Sequence, residues 1–299
     1  MYNMKYIVIL CLFLASFSCK EKTEKQTETK ETETIKSALL SRFAYQANNS
    51  TPIISVHRGG KSIENYPENC LETLKYINDS IPAVYEIDVA KTKDNVLVLM
   101  HDNSLDRTST GEGDITNYTY QELKQFNLED DFGNETTFKI PLFKDVLIWA
   151  KTNNVVLTID IKKSVSVTQV VALIEETKAE DISIIITYDM KQASAAYKAA
   201  PGLLLSVSAR NDEELDWLLH SEIPTQNMIA FTGTRLSSET FYKKLHDLGI
   251  TCMLGTLGNL DKQAEAKGDH LYKTWVDLGV DVIATDRPFA AATSLNIKK

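Results

Sequence analysis

The chain has 299 residues, of which 43% are hydrophobic, and its formal net charge is −9 with a sequence pI near 5.2. This size and composition allow one large globular domain or two smaller ones. The acidic balance argues against a nucleic acid as the partner, because neutralising phosphates requires clustered lysine and arginine.

The amino terminus has the pattern of a targeting segment rather than of a folded domain. A short start, MYNMK, precedes the apolar run YIVILCLFLASF, which is too short to span a bilayer. Ser18 and Cys19 follow directly, as in the cleavage box of a bacterial lipoprotein. We therefore predict a signal peptide over residues 1–18, with Cys19 lipidated and the protein anchored in the bacterial cell envelope, facing the periplasm or the surface. A plain secretory signal or an uncleaved anchor is the alternative.

A polar segment separates this start from the rest of the chain. Residues 20–34 contain only Lys, Glu, Thr and Gln, and such a composition cannot bury apolar surface. We predict a disordered tether over residues 19–40 and a folded domain over 41–299. Only Cys70 and Cys252 fall in that domain, and two buried thiols are the expected state.

From residue 52 onward, short β-rich apolar runs alternate with amphipathic helical patterns, which is typical of a parallel sheet. Eight such units predict an α/β fold of the (β/α)₈ TIM-barrel class. The predicted strands are 52–57, 83–88, 154–161, 181–187, 203–208, 227–231, 250–254 and 281–285.

The unit after the second strand is unusually long. About fifty residues separate it from the next helical pattern, LFKDVLIWAK, and long insertions in compact domains are commonly functional. Because the insertion leaves the carboxyl end of a strand, we expect it to form a small cap over the active face, at about residues 96–140.

A hairpin begins this insertion. Glu86 and Asp88 lie at i and i+2 of a strand, so their carboxylates share a face. If Asp94-Asn95 forms a two-residue loop, paired residue numbers sum to 189. That register predicts a return strand at 96–100 and places His101 opposite Asp88. An ordinary hairpin with solvated acids and a surface histidine is the alternative.

Charged side chains recur at the carboxyl ends of three successive apolar strands, and the hairpin adds one more. Solvated charges would instead be scattered over loops and helix faces. In a barrel, these strand ends meet at one mouth, so we expect the side chains to converge. The residues are His57, Arg58, Glu86, Asp88, His101, Asp160 and Lys162.

The chemistry of this set favours phosphodiester cleavage. Three carboxylates without cysteine suit one hard divalent cation, Ca²⁺ or Mg²⁺, rather than zinc. Arg58 and Lys162 supply positive charge for an anion such as phosphate. His57 and His101 can serve as general base and general acid on opposite sides of a phosphorus centre.

The segments HRGG, YPENCLETL, EIDVAKTKDNVLVLMHD, SLDRTSTG, TIDIK and GVDVIATDRP resemble, in order and spacing, the glycerophosphodiester phosphodiesterases. The resemblance runs from about residue 53 to 289. It implies a barrel with a cap after strand two and release of glycerol 3-phosphate and an alcohol from glycerophosphodiesters. For the residues, it implies catalysis by His57 and His101, metal binding by Glu86, Asp88 and Asp160, and phosphate contacts from Arg58 and Lys162.

Two departures from the family pattern leave the substrate open. The third acid is usually Glu, and Asp160 is one methylene shorter; the late aromatic motif reads MLGTLGN here, without its Trp. A related phosphodiesterase acting on inositol or sphingolipid phosphodiesters is one alternative. A lipid-anchored protein that binds phosphorylated ligands without turnover is another, although binding alone needs neither an acid nor a base.

The remaining candidates have structural interpretations. Glu68 and Asn69 of the PEN segment are expected mainly to open the first barrel helix. Asp286 is expected to brace the loop after strand eight. The other histidines are expected on the surface, and the three tryptophans in packing contacts; these residues are His220, His246, His270, Trp149, Trp217 and Trp275.

Overall fold

The computed structural model describes residues 36–47 and 51–299; the predicted signal peptide, Cys19 and the polar segment 20–34 lie outside this range. Nine strands form one sheet. They are β1 (Ile53–Val56), β2 (Val84–Lys91), β3 (Leu97–Leu99), β4 (Leu157–Ile161), β5 (Ser183–Thr187), β6 (Leu204–Ser208), β7 (Met228–Phe231), β8 (Thr251–Gly255) and β9 (Val282–Thr285).

Eight of these strands close into a parallel barrel. The order is β1-β9-β8-β7-β6-β5-β4-β2, and β1 also pairs with β2, so the sheet returns to its start. β3 pairs antiparallel with β2 outside the barrel. Each predicted strand lies within about three residues of an observed one, and the predicted (β/α)₈ class is confirmed.

Eleven α-helices occur in the described residues, and most of them follow a barrel strand. None of them has the length and apolar character needed to cross a membrane. They are α1 (Leu39–Arg42), α2 (Leu71–Ser80), α3 (Tyr120–Leu123), α4 (Phe143–Thr152), α5 (Val167–Thr177), α6 (Met190–Ala199), α7 (Asp212–Leu219), α8 (Glu239–Asp247), α9 (Asn259–Lys267), α10 (His270–Asp277) and α11 (Pro288–Ser294).

Four of the outer helices begin at polar caps that the sequence supplies. Ser166, Asp189, Asn211 and Ser238 each accept a hydrogen bond from the backbone N–H three residues ahead, at the starts of α5, α6, α7 and α8. Such caps satisfy donors that a helix leaves free at its first turn. They fix where each helix starts, and therefore how long each strand-to-helix loop at the mouth can be.

The amino-terminal face of the barrel is closed by the segment around α1. Leu39, Leu40 and Phe43 are buried against the lowest inward-facing layer of the strands, which includes Val84 and Leu204. The Oγ of Ser37 and the backbone of Phe43 bond to the loops and strands at this face. The barrel is thus sealed at one end and open at the other.

The segment between β3 and α4, residues 100–142, forms the cap. Its apolar side chains make a separate small core with the β2–β3 hairpin, in which Met100, Leu105 and Leu123 are buried. The carboxylates of Asp130 and Asp131 accept hydrogen bonds from the backbone of the loop after β1. The predicted cap after strand two is therefore present and lies against the mouth.

The predicted hairpin register is wrong by one residue. The observed pairs Val89–Leu99 and Lys91–Leu97 sum to 188, not 189. The loop has three residues, because Thr92 closes it by backbone and side-chain hydrogen bonds to Val96, and Asn95 adopts a left-handed conformation with φ of 63°. Met100, rather than His101, therefore lies opposite Asp88, and His101 falls in the cap just beyond the ladder.

Cys70 and Cys252 are free and buried, as predicted. Burial raises the pKa of the Cys70 thiol to about 12. Burial raises the pKa of Cys252 as well, so both thiols stay protonated at neutral pH.

Candidate active site

The turn after β1 places the first histidine. His57–Gly59 form one 3₁₀ turn in which Arg58 has φ of 51°, and Gly60, directly after it, has φ of 126°. A Cβ atom on Gly59 would come within 2.5 Å of Leu74, and one on Gly60 would meet α2 equally closely. The two glycines of HRGG are thus required for this turn to pack against α2. In the turn, the backbone N–H of Arg58 donates to the Glu86 carboxylate at 2.6 Å.

His57 is held by a carboxylate from the last strand. Its Nδ1 lies 2.7 Å from Oδ1 of Asp286, which follows β9. Burial alone would raise the pKa of Asp286, but the hydrogen bond and charge of His57 hold it below its ordinary value. A carboxylate accepts from Nδ1–H, so Nε2 is the ring atom left for chemistry.

His101 is held from both sides of its ring. Its Nδ1 lies 2.6 Å from Oδ1 of Asp102, and its Nε2 lies 2.7 Å from Nη2 of Arg58. Because a guanidinium can only donate, Nε2 must carry a lone pair in this arrangement, and Nδ1 must carry the proton. His101 is therefore the neutral Nδ1–H tautomer.

Two further charged residues, Glu68 and Arg107, bind the partners of His101. Glu68 is buried, and it accepts from Nη1 of Arg58 at 3.1 Å and from Nη2 of Arg107 at 2.7 Å. Arg107 also donates from Nε to Asp102 at 2.6 Å. Burial would raise the pKa of Asp102, but the bonds from Arg107 and His101 lower it to about 2. Asp102 is therefore ionised across the whole range in which a histidine titrates.

The three predicted metal-binding acids lie together. Glu86, Asp88 and Asp160 each offer a carboxylate oxygen, and these oxygens lie within 4.8 Å of one another. Asp88 and Asp160 are in register on neighbouring strands β2 and β4, which explains their proximity. Burial and the Asp88 charge raise the pKa of Glu86 well above its ordinary value, and burial raises that of Asp160.

Lys162 partly compensates this negative charge. Its Nζ lies 2.5 Å from Asp88 and 2.8 Å from Asp160. The Lys162 charge and the Asn69 amide hold the pKa of Asp88 below its ordinary value, against the effect of burial. One ammonium for three carboxylates leaves an excess of negative charge, and an all-oxygen donor set is the one that hard divalent cations prefer. The residues present therefore fit a divalent cation.

A cavity of about 280 Å³ opens at this mouth, and it is lined by both histidines and all three acids. Its lining also includes apolar side chains, among them Phe231 and Met253, whereas Tyr188 lies beside Asp160 and hydrogen-bonds to it. One cavity thus combines charged, hydrogen-bonding groups with apolar ones. Arg58 and Lys162 lie next to these charged groups, because Arg58 bonds to His101 and Lys162 bonds to Asp88 and Asp160.

The structure changes the interpretation of three residues that the sequence analysis placed in structural roles. Glu68 binds two guanidinium groups, and Asn69 donates to Oδ2 of Asp88 at 2.7 Å while accepting from its backbone N–H. Neither side chain caps α2, whose first turn begins after Cys70. Asp286 contacts His57 rather than only bracing its loop. The sequence did offer one indication of a role in the site for Glu68 and Asn69. They lie in the segment that joins β1 to β2, and both of these strands position residues of the candidate active site.

Two other expectations are also corrected. His246 is only 13% exposed, and it bonds to Asp281 at the face opposite the mouth. Trp217 is half-exposed, although packing was expected, whereas Trp275 is buried as expected. None of these residues lies in the candidate active site.

Comparison with known proteins agrees with this geometry. The family model described as "Glycerophosphoryl diester phosphodiesterase family" matches residues 57–290. The chain belongs to this family. A glycerophosphoryl diester phosphodiesterase crystal structure from Parabacteroides distasonis superposes with a TM-score of 0.79 at 32% identity, covering 88% of this chain and 93% of that one.

A sequence relative and a further solved structure extend the comparison. A glycerophosphodiester phosphodiesterase from Bacillus altitudinis is 27% identical over 79% of this chain and 94% of its own length. An Oleispira antarctica phosphodiesterase, solved with the product sn-glycerol-3-phosphate, shares the fold with a TM-score of 0.67 at 17% identity, over 86% of this chain and 99% of that one. The protein is therefore a phosphoric diester hydrolase by family.

Proposed function

We propose that this protein hydrolyses glycerophosphodiesters to glycerol 3-phosphate and an alcohol, with His57 and His101 as the acid–base pair and one divalent cation as cofactor. One observation carries the proposal. Both histidines line the cavity that holds Glu86, Asp88 and Asp160, and each has its Nδ1 on a carboxylate. A phosphorylated ligand could be bound without this pairing, which fixes ring orientation for proton transfer.

The cation would be held by Glu86, Asp88 and Asp160, and Ca²⁺ or Mg²⁺ suits these oxygen donors. When bound, it supplies positive charge for a non-bridging phosphate oxygen. Arg58 and Lys162 are proposed to contact the phosphate as well. Within the described residues, Nε of Arg58 is buried without a hydrogen-bond partner, and Lys162 has a third N–H beyond its two carboxylate bonds.

The two histidines differ in ways that support separate roles. Nε2 of His101 faces Arg58, so this ring atom holds a lone pair before the reaction. Arg58 is also proposed to contact the phosphate, and its movement onto the substrate would free this lone pair to act as the general base. His57 has its Nδ1 on Asp286, which leaves an Nε2 proton available for a general acid.

In the reaction, His101 takes the proton of the attacking O–H group, which is water or the glycerol 2-hydroxyl. The new P–O bond forms as the P–O bond to the alcohol breaks, and His57 gives its Nε2 proton to the departing alkoxide. Attack by the 2-hydroxyl would release a cyclic phosphate first.

The test is a product assay on a panel of glycerophosphodiesters, with inositol and sphingolipid phosphodiesters in parallel and with and without added divalent metal. We expect glycerol 3-phosphate and free alcohol from the glycerol series only. A detected cyclic phosphate would identify the 2-hydroxyl as the nucleophile. Turnover confined to the inositol or sphingolipid substrates, or binding without turnover, would contradict the proposal.

We further propose that Cys19 carries the lipid that anchors the protein in the bacterial cell envelope. The short apolar run and the polar segment on either side of Cys19 support this. Cys19→Ala is expected to abolish membrane retention, measured by fractionation, while Cys70→Ala serves as the cysteine control outside the targeting segment. Recovery of Cys19→Ala in the membrane fraction at the wild-type level would contradict the anchor.

A further inference from the structure

Five side chains around His101 form a closed hydrogen-bonded ring. Starting from Arg107, the contacts run to Asp102, His101, Arg58 and Glu68 and then return to Arg107. Every link is between 2.6 and 3.1 Å in length. His101, Asp102 and Arg107 belong to the cap, whereas Arg58 and Glu68 belong to the barrel, so the ring joins the two parts at the catalytic base.

The charges in the ring balance only when His101 is neutral. Two guanidinium groups face two carboxylates, and Glu68 is buried with 4% of its surface exposed. A second proton on His101 would leave the ring with an excess positive charge and would place an N–H against the guanidinium of Arg58. The ring therefore selects the tautomer with Nδ1–H and an Nε2 lone pair.

Arg107 closes this ring from the cap side. It is the most exposed of the five, with 40% of its side chain accessible, yet it binds Glu68 and Asp102 simultaneously. A planar guanidinium can bridge two carboxylates with separate N–H groups, whereas a lysine ammonium acts as a single point charge. Without Arg107, Asp102 could rotate away from His101, and Glu68 would have only Arg58 as its partner.

Resting on the function proposed above, we propose that Arg107 is a positioning residue for this reaction. It fixes the tautomer and orientation of His101 through Asp102, and it fixes the guanidinium of Arg58 through Glu68. Arg107 does not itself touch the reacting atoms in this role. Its loss should therefore affect turnover more than substrate affinity.

The first measurement is steady-state kinetics. Arg107→Ala is expected to lower kcat about a hundredfold with a smaller change in KM, because small misplacement of a catalytic group has an effect of that order. Guanidinium ion at millimolar concentration should restore part of the loss, since the site is open to solvent. Arg107→Lys should recover less than full activity, and Arg42→Ala, on the opposite face of the barrel, should behave as wild type.

The second measurement separates positioning from a purely structural role. ¹⁵N NMR of the His101 side chain should report Nδ1–H alone in the wild type and a mixture of tautomers in Arg107→Ala. An unchanged kcat in folded Arg107→Ala, or a loss that guanidinium does not restore and that leaves the tautomer unchanged, would overturn the proposal. If the wild type fails to cleave any glycerophosphodiester, the proposed function fails, while the NMR result still decides the role of Arg107 in the ring.

Discussion

His57→Ala and His101→Ala are each expected to lose at least about 10²–10⁴-fold in kcat on a natural glycerophosphodiester, because a positioned acid or base contributes roughly that much. His220→Ala, which removes a histidine outside the cavity, is the matched control and should keep wild-type kcat. Circular dichroism should show that all three variants are folded. A folded alanine variant that turns over at nearly the wild-type rate would make that histidine structural.

The roles of the two histidines can be separated by the leaving group. A nitrophenyl ester releases a stable anion that needs little protonation, so a variant lacking the general acid should regain much of its rate on this substrate. We expect His57→Ala to recover and His101→Ala to remain slow. The opposite pattern would exchange the two roles.

Asp88→Ala is expected to lose both the bound cation and turnover. The loss should exceed the roughly 10–100-fold effect of removing an outer hydrogen-bond partner of a metal ligand. Calorimetric titration of chelator-treated protein with Ca²⁺ and Mg²⁺ measures the affinity directly, and the product assay measures turnover. Asp247→Ala, an exposed acid on α8, is the control and should change neither. Full activity in excess chelator, with no metal found in the protein, would contradict a metal requirement.

Asp160→Glu tests the third acid more sharply. It restores the residue usual in the family and lengthens the side chain by one methylene, so metal binding and activity are expected to persist. An inactive, folded variant would mean that position 160 does not bind the metal as proposed.

The barrel could be predicted from the sequence because its signals are local. Each strand is a short apolar run, and each helix has its own apolar face and polar cap, so the period of the pattern identifies the fold without long-range information. The grouping of Glu86, Asp88 and Asp160 followed from the same reasoning, since carboxyl ends of barrel strands meet at one mouth. Once the barrel is recognised, the sequence therefore predicts which polar side chains at the strand ends lie together.

What the sequence could not provide were contacts that depend on loop geometry. The hairpin register was wrong because Thr92 and a left-handed Asn95 form a three-residue loop, a choice made by side-chain hydrogen bonds rather than by apolar pattern. The partners of His57 and Arg58 were missed for a related reason. Asp286 is distant in sequence from His57, and Glu68 lies in an irregular loop. Their contacts with His57 and Arg58 form only when the barrel mouth is assembled.

The sealed amino-terminal face has a consequence for how the enzyme would meet its substrate. The chain reaches α1 at Ser37 and Leu39 on that face, whereas the cavity opens at the other end of the barrel. If Cys19 carries a lipid, as proposed, the tether would join the folded domain on the face opposite the catalytic opening. The opening would then not be covered by its own point of attachment, and diffusing, deacylated headgroup esters could reach it from the aqueous compartment.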